Sequence, residues 1–143
     1  MTKDGYNIVV DTRIPSDVLA GRTVVEDVLG KLDACDWIAD GLFGVRLALE
    51  EAVVNAIRHG NGSDVRKFVS VRCTLSSDEL SIEVSDEGSG FDPAEVPDCT
   101  EDENLEVPSG RGLMLMRSFM STVEYNARGN RVVMTKLRVS ETT

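Results

Sequence analysis

The sequence predicts an α+β fold: a two-layer sandwich with helices on one face of a mixed, mostly antiparallel sheet. Apolar residues recur at period two in some segments and at steps of three and four in others, and the elements follow in the order β-α-α-β-β-loop-α-β-β. Strands that come in pairs joined by short turns, instead of alternating with helices, favour antiparallel pairing. We therefore expect a single domain over residues 1–143, with its core at about 5–138.

The first predicted elements are a strand and a helix. Tyr6–Thr12 contains a run of β-branched residues and reads as a short strand. After it, Ser16 or Asp17 can cap a helix that reaches about Leu32. The spacing predicts one buried stripe on this helix, consisting of Val18, Leu19, Val25, Val28, Leu29 and Leu32.

A second, longer helix is predicted from about Asp36 to His59, where Gly60-Asn61-Gly62 ends it. Apolar residues at steps of three and four indicate that it is the central helix. They are Ile38, Leu42, Val45, Leu49, Val53 and Ile57.

The second half of the chain predicts two hairpins and a third helix. Phe68–Leu75 and Leu80–Ser85 alternate apolar with polar residues and should form an antiparallel pair. Gly112–Met120 reads as a short apolar helix. Val123–Ala127 and Arg131–Arg138 are expected to form the second hairpin, around a turn that contains glycine.

The composition excludes several classes of function. The chain is 41% hydrophobic and 28% charged, and its net charge of −10 argues against sequence-independent binding to DNA, RNA or anionic lipid, which needs clustered Lys and Arg. No apolar run approaches the roughly 20 residues that cross a bilayer, and the first residues lack a leader pattern, so we expect a cytoplasmic protein. Cys35, Cys73 and Cys99 form no CxxC pair, which argues against a disulfide framework or a thiolate zinc site.

The charge is unevenly distributed. Residues 51–110 carry 4 basic and 14 acidic side chains, whereas residues 111–143 carry 6 basic and 2 acidic ones. The densest acidic run, residues 98–106, lies in a proline-flanked loop at about 93–109. Two interpretations remain open for it: a solvated acidic loop, or a lid over a site.

One candidate site lies on the predicted central helix. Glu51 and Asn55 are four residues apart, so a carboxylate and an amide oxygen lie side by side on one face. Such a pair can hold a hard cation and a water molecule, and the glutamate can accept a proton. Glu50 is the neighbouring alternative for that role, and the polar face of an amphipathic helix is the plain interpretation of the pair. His59, just before the helix end, is expected to be a partner of the helix dipole.

Two glycine-rich stretches could bind a ligand. In Asp86-Glu-Gly-Ser-Gly90, Gly88 and Gly90 allow close backbone approach, and Asp86 can accept a hydrogen bond from an exocyclic amine. An ordinary tight turn explains these glycines equally well. Gly110 and Gly112 open the predicted third helix, where amide groups and the positive end of the dipole attract phosphate oxygens.

Together and in this order, the three stretches resemble the N, G1 and G2 boxes of the GHKL ATP-binding superfamily, which includes gyrase, Hsp90, histidine kinases and MutL. The boxes are Glu51-Ala-Val-Val-Asn55, Asp86-x-Gly-x-Gly90 and Gly110-x-Gly112-Leu. Within the superfamily, Glu-Ala-x-x-Asn-Ala-x-x-His-Gly and the Leu-Met-Leu-Met-Arg-Ser-Phe-Met after the third box most resemble the anti-sigma factor serine/threonine-protein kinases of bacterial partner-switching systems. The resemblance covers about residues 5–138.

The resemblance implies a Bergerat-type ATP-binding fold with ATP and Mg²⁺ as cofactors. It implies that Asn55 binds the magnesium ion that bridges the ATP phosphates and that Glu51 is the general base. It assigns Asp86 to the adenine amino group. The remaining nucleotide-binding positions that it implies are glycines at the pocket and along the triphosphate, with an arginine between two of them: Gly88, Gly90, Gly110, Arg111 and Gly112.

The resemblance also implies the partners. Kinases of this type phosphorylate a Ser or Thr of a small anti-anti-sigma protein of the STAS type and sequester a sigma factor, often as homodimers. An alternative is a nucleotide-gated protein-binding module of the same fold with little or no kinase activity. We expect neither a nucleic acid nor a membrane as a partner.

Overall fold

The fold is built on a five-stranded sheet with the strand order β1-β2-β3-β5-β4. The computed structural model of the protein describes residues 7–39, 41–88 and 110–138. The strands are β1 (Asn7–Pro15), β2 (Phe68–Leu75), β3 (Glu79–Ser85), β4 (Thr122–Tyr125) and β5 (Arg131–Leu137). The helices are α1 (Val18–Leu32), α2 (Asp36–Ala39), α3 (Leu42–Val54) and α4 (Gly110–Phe119), and a π-helical segment (Asn55–Gly60) continues α3. The predicted α+β fold is confirmed, and each neighbouring pair of these strands is antiparallel.

The core lies between one face of the sheet and the helices. In β2 and β3 every second residue is buried, and the register places Val71 opposite Val84 and Cys73 opposite Ile82. Helices α1 and α3 contact each other, and their buried residues close this layer. Burial raises the pKa of the Cys73 thiol to about 12, so this cysteine is a small apolar core residue.

Helix α1 begins and ends where the sequence predicts. The Asp17 carboxylate accepts a hydrogen bond from the Ala20 amide at 3.2 Å, which makes Asp17 the N-cap. Two of the predicted stripe residues are wrong: Val18 and Leu19 are 50% and 67% exposed. They lie in the first turn, ahead of Gly21, where close contact with α3 and the π-helical segment begins.

The single predicted helix from Asp36 to His59 is wrong in two respects. Helix α2 ends at Ala39, and α3 starts after Gly41, whose φ of −103° and ψ of 6° are not helical. Beyond Val54 the backbone continues with π-helical bonding up to Gly60. The apolar spacing of three and four is preserved in both pieces, so periodicity alone could not show the break.

The other boundaries differ by a few residues. β1 continues through Pro15, because Ile14 and Pro15 still pair with the start of β2, and an edge strand tolerates a proline. β4 stops before Asn126, whose side-chain oxygen accepts hydrogen bonds from the amides of residues 129–131 and so forms the turn. Helix α4 begins at Gly110, two residues earlier than predicted. The predicted acidic loop at 93–109 lies outside the described residues, and none of the helices described is long and apolar enough to span a membrane.

Candidate functional site

The first part of the site lies where α3 passes into the π-helical segment. Glu51, on the last turn of α3, and Asn55, the first residue of the π-helical segment, are one turn apart. Asn55 is only 6% exposed, and its Nδ2 atom has no hydrogen-bond partner in the part of the chain that the structure describes. Burial raises the pKa of Glu51, and the neighbouring Asn55 amide opposes that rise. The pair therefore combines a proton acceptor with a buried amide whose nitrogen has no partner among the described residues.

The two adjacent glutamates have different surroundings. Glu50 accepts a hydrogen bond from Arg46 Nη1 at 3.4 Å and lines the crevice between α1 and α3, together with Glu26. Glu51 instead contacts the start of α4, because a Cβ atom placed on Gly112 would overlap the Glu51 carboxylate. Of the two glutamates that the sequence left open, Glu51 is therefore the one that lies with Asn55.

Helix α4 presents its N-terminal turn to this carboxylate. Gly110 is the first residue of the helix and Gly112 is buried two residues later. The N-terminal turn of a helix carries partial positive charge and amide donors that favour anions. Glycine is required at position 112 because any side chain would displace Glu51. The side chain of Arg111 lies outside the described part of the structure, so its phosphate role stays a prediction.

The turn after β3 holds the second carboxylate. Asp86 Oδ1 accepts a hydrogen bond from the Gly88 amide at 2.8 Å, and the Asp86 amide donates to the Asn130 carbonyl at 2.9 Å. Burial raises the pKa of Asp86 to about 6, while the Gly88 amide and the positive charges of Lys67 and Arg128 oppose the rise. The turn thus orients a half-buried carboxylate that can accept a hydrogen bond from a ligand.

This turn is in direct contact with the end of the π-helical segment. A Cβ atom on Gly60 would overlap the Asp86 carboxylate, and a Cβ atom on Gly88 would overlap the Gly60 carbonyl. Two backbones can approach this closely only where side chains are missing. Glycine is therefore required at position 88, while its role in shaping a nucleotide pocket stays a prediction, and Gly90 lies outside the described residues.

Tyr125 is a site residue that the sequence analysis missed. Burial raises its pKa to about 12; Asn55 beside the hydroxyl opposes the rise, and the charges of Glu51 and Asp86 add to it. The charges of both carboxylates thus act on one hydroxyl at the end of β4. The alternation of inward- and outward-facing residues along β4 could have indicated Tyr125, because it pairs with the buried Val132 and faces the helices.

Asn61 is a second missed residue. The sequence predicts only a helix end at Gly60-Asn61-Gly62, yet Asn61 is 2% exposed and its side chain contacts the turn that carries Asp86. Buried asparagine has no signature in a local pattern. Its partners come from distant parts of the chain.

The residues present fit a magnesium–nucleotide complex. The described residues contain no group of three or more His, Cys, Asp or Glu side chains that could form an all-protein metal cage. Mg²⁺ usually keeps several waters and takes one or two protein oxygens together with phosphate oxygens. The side-chain oxygen of the buried Asn55 is a neutral ligand of the kind that Mg²⁺ accepts, and Glu51 lies one turn away from it.

A protein-family comparison identifies the domain. The family model of the histidine kinase-like ATPase domain matches residues 15–136, which is most of the chain. The chain belongs to the histidine kinase-like ATPase family. The matched range of this ATPase domain includes Glu51, Asn55, Asp86 and Gly112, and so contains both carboxylates of the site.

Curated relatives of this ATPase domain carry one recurring name. The chain is 34% identical over 121 residues to the anti-sigma F factor of Oceanobacillus iheyensis, covering 80% of each protein. It is 36% identical over 121 residues to the anti-sigma F factor of Clostridium perfringens, covering 80% of this chain and 84% of that protein.

A solved structure supports the fold. The ATPase domain resembles a crystal structure of the RsbU and RsbW domains of Rv1364c from Mycobacterium tuberculosis, with a TM-score of 0.57 and 19% identity. The match covers 94% of this chain, which spans about a third of that solved chain (34%). At this identity the likeness shows the fold alone.

Proposed function

We propose that this protein is an ATP-dependent serine/threonine kinase that phosphorylates an anti-anti-sigma partner of the STAS type and sequesters a sigma factor in the cytoplasm. The anti-sigma F factors among its relatives support the partner class. One observation carries the catalytic part: the Glu51 carboxylate lies against both the buried Asn55 amide and the start of α4.

Asn55 would hold the metal ion, and Asp86 would hold the adenine base of the nucleotide. The Asn55 oxygen is a neutral ligand that suits Mg²⁺, and the ion, when bound, neutralises charge on the phosphates. The Asp86 carboxylate accepts a hydrogen bond from the exocyclic amine of adenine. Positioning and charge neutralisation supply most of the catalysis in phosphoryl transfer.

The backbone near the N-terminus of α4 would hold the triphosphate. Gly110 and Gly112 belong to the first turn of that helix, where amides and the dipole favour phosphate oxygens. In the proposal, Arg111 adds a positive charge to the same turn, and Gly90 completes the pocket at the adenine side.

Glu51 would act as the general base. Its raised pKa makes it a better proton acceptor than an exposed glutamate, and its position beside Gly112 places it next to the proposed phosphate site. The hydroxyl oxygen of the partner's Ser or Thr forms a bond to the γ-phosphorus while the bond to the ADP oxygen breaks. The hydroxyl proton passes to Glu51.

Transfer of radiolabelled phosphate from ATP to a STAS-domain partner tests the proposal, with the neighbouring glutamates as a matched pair. We expect Glu51→Gln to lower the transfer rate by about 100-fold or more, the range for loss of a general base, while ATP still binds. Glu50→Gln should keep nearly the wild-type rate, because Glu50 lies in the α1–α3 crevice.

An unchanged rate in Glu51→Gln would contradict the assignment of the base. If the partner stays under normal control in Glu51→Gln but escapes in Asn55→Ala, the nucleotide-gated binding module replaces the kinase. Light scattering of the purified protein checks whether it forms the homodimer that the family resemblance implies.

A further inference from the structure

The buried side chain of Asn61 connects the end of its own π-helical segment to three other segments of the chain. Its amide N–H donates to the Ala56 carbonyl at 2.9 Å, which closes the π-helical segment. Nδ2 donates to Ser16 Oγ at 2.9 Å and to the Phe68 carbonyl at 3.0 Å. Oδ1 accepts from the Glu87 amide at 2.8 Å. Each end of the side-chain amide therefore has a partner, and the residue is 2% exposed.

The two ends of this amide contact different parts of the molecule. The nitrogen holds the junction of β1 with α1 and the start of β2, which belong to the scaffold. The oxygen holds the peptide that directly follows Asp86. The Phe68 amide also donates to the Glu87 carboxylate, so Asn61, Phe68 and Glu87 form a closed set of contacts.

The Asp86 backbone is consequently fixed on both sides. The Asp86 amide donates to the Asn130 carbonyl, and the next amide, that of Glu87, donates to Asn61. Gly60 and Gly88 already bring this turn into backbone contact with the π-helical segment. Because the two segments are so close, a small shift of the turn would displace the Asp86 carboxylate. The Asn61–Glu87 bond ties the backbone of this turn to the scaffold, and the contact of the Glu87 carboxylate with the Phe68 amide ties its side chain.

We propose that Asn61 is a positioning residue for recognition of the nucleotide base: through the Glu87 amide it holds the Asp86 turn so that the carboxylate meets the amine at position 6 of a purine. The inference rests on the proposed function, since it needs a bound adenine nucleotide. It goes beyond that function because Asn61 itself contacts no part of the nucleotide.

The test compares ATP with inosine triphosphate, which carries an oxygen in place of that amine. The readout is the ratio of their dissociation constants in the presence of Mg²⁺, measured by calorimetry. Wild type should prefer ATP by about 10-fold or more, because an acceptor facing the inosine oxygen is left unpaired. In Asn61→Ala the ratio should fall by about fivefold or more, towards the value of Asp86→Ala.

Ser16→Ala is the matched control. It removes one scaffold partner of Asn61 and leaves the Asn61–Glu87 bond in place. This variant should lose thermal stability while the nucleotide ratio stays at the wild-type value. A general loss of stability weakens the binding of ATP and of inosine triphosphate alike, so it does not change the ratio of their dissociation constants.

A second pair of variants removes the same hydrogen bond from its other end. Glu87→Pro deletes the amide that Asn61 accepts from, and Glu87→Ala loses the same carboxylate but keeps the amide. The ratio should fall in the proline variant alone, and an unchanged ratio in that variant overturns the positioning role even if Asn61→Ala does not fold. If the wild type binds no ATP, the proposed function fails. If the wild type discriminates and Asn61→Ala and Glu87→Pro keep its ratio, the positioning role alone is overturned.

Discussion

Asn55 and Asn61 lie six residues apart at the two ends of the same π-helical segment, and both are buried. They differ in what their amides contact. Asn55 Nδ2 has no partner in the described parts of the chain, whereas Asn61 makes three side-chain hydrogen bonds. A buried polar atom without a partner costs about 1–3 kcal/mol of stability. The contrast separates an amide that we propose binds a ligand from an amide that supports the scaffold.

The largest expected effect is that of Asn55→Ala on nucleotide binding. Affinity for ATP with Mg²⁺ should fall about 100-fold, because the metal loses its side-chain ligand. The free energy of unfolding should stay within about 1 kcal/mol of wild type or rise, since the unsatisfied group is removed. Calorimetric titration and urea unfolding of the same preparation check the two parts. A large loss of stability with unchanged affinity for ATP would mean that Asn55 supports the scaffold and does not bind the metal.

Asn61→Ala, in contrast to Asn55→Ala, should clearly lower the stability of the fold. Loss of the three hydrogen bonds of this side chain is expected to lower the free energy of unfolding by about 2 kcal/mol, which urea denaturation measures. An unfolding midpoint equal to that of wild type would show that these contacts do not support the scaffold.

Gly112→Ala tests how closely α4 approaches Glu51, with Gly30→Ala as its control. A methyl group at position 112 would displace the end of the Glu51 side chain, so phosphate transfer should fall about 10-fold with little change in stability. Gly30 has open space at the same position and is exposed on α1. Its substitution should raise stability by about 0.5–1 kcal/mol and leave transfer unchanged. Equal transfer rates in both variants would contradict the contact.

The smallest expected effect is a pH-dependent gain of stability in Asp86→Asn. The pKa of Asp86, about 6 in the fold, lies above its ordinary value of 3.8. Between pH 3.8 and about 6, the folded protein therefore binds a proton at Asp86 that the unfolded chain has released. The stability that this proton contributes is lost as the pH rises through about 6. At pH 8 the amide should unfold with about 1 kcal/mol more free energy than wild type, a value that already allows for solvent screening of this half-buried carboxyl.

At pH 4 that gain should disappear. Urea unfolding at both pH values measures it, and Asp78→Asn, at an exposed turn, is the control that should show no such trend. A gain of the same size at pH 4 and pH 8 would mean that ionisation of Asp86 is not the cause.

The strands were the most predictable part of the fold. Phe68–Leu75 was predicted with both ends correct, because alternation at period two is a local property. The break at Gly41 was missed, since α2 and α3 keep the same apolar spacing on both sides. The π-helical segment was missed as well, because its end is in contact with Gly88, a residue far along the chain.

The candidate site likewise contains residues that the sequence could predict and residues that it could not. Glu51, Asn55 and Asp86 could be found because each is a chemically suitable residue at a recognisable spacing or turn. Tyr125 and Asn61 could not, because their importance arises from contacts between segments. Asn61 depends on partners before α1, at the start of β2 and after β3, and no local pattern contains all of these.

The most direct test of the central claim follows the two side-chain amides themselves. In protein with ¹⁵N-labelled asparagine, the side-chain NH₂ signals of Asn55 and Asn61 can be assigned by substitution and followed by NMR. ATP with Mg²⁺ should shift the Asn55 signal strongly, and the Asn61 signal should keep nearly its position. An Asn55 signal that does not move at saturating ATP and Mg²⁺ would contradict the assignment of this amide to the nucleotide complex.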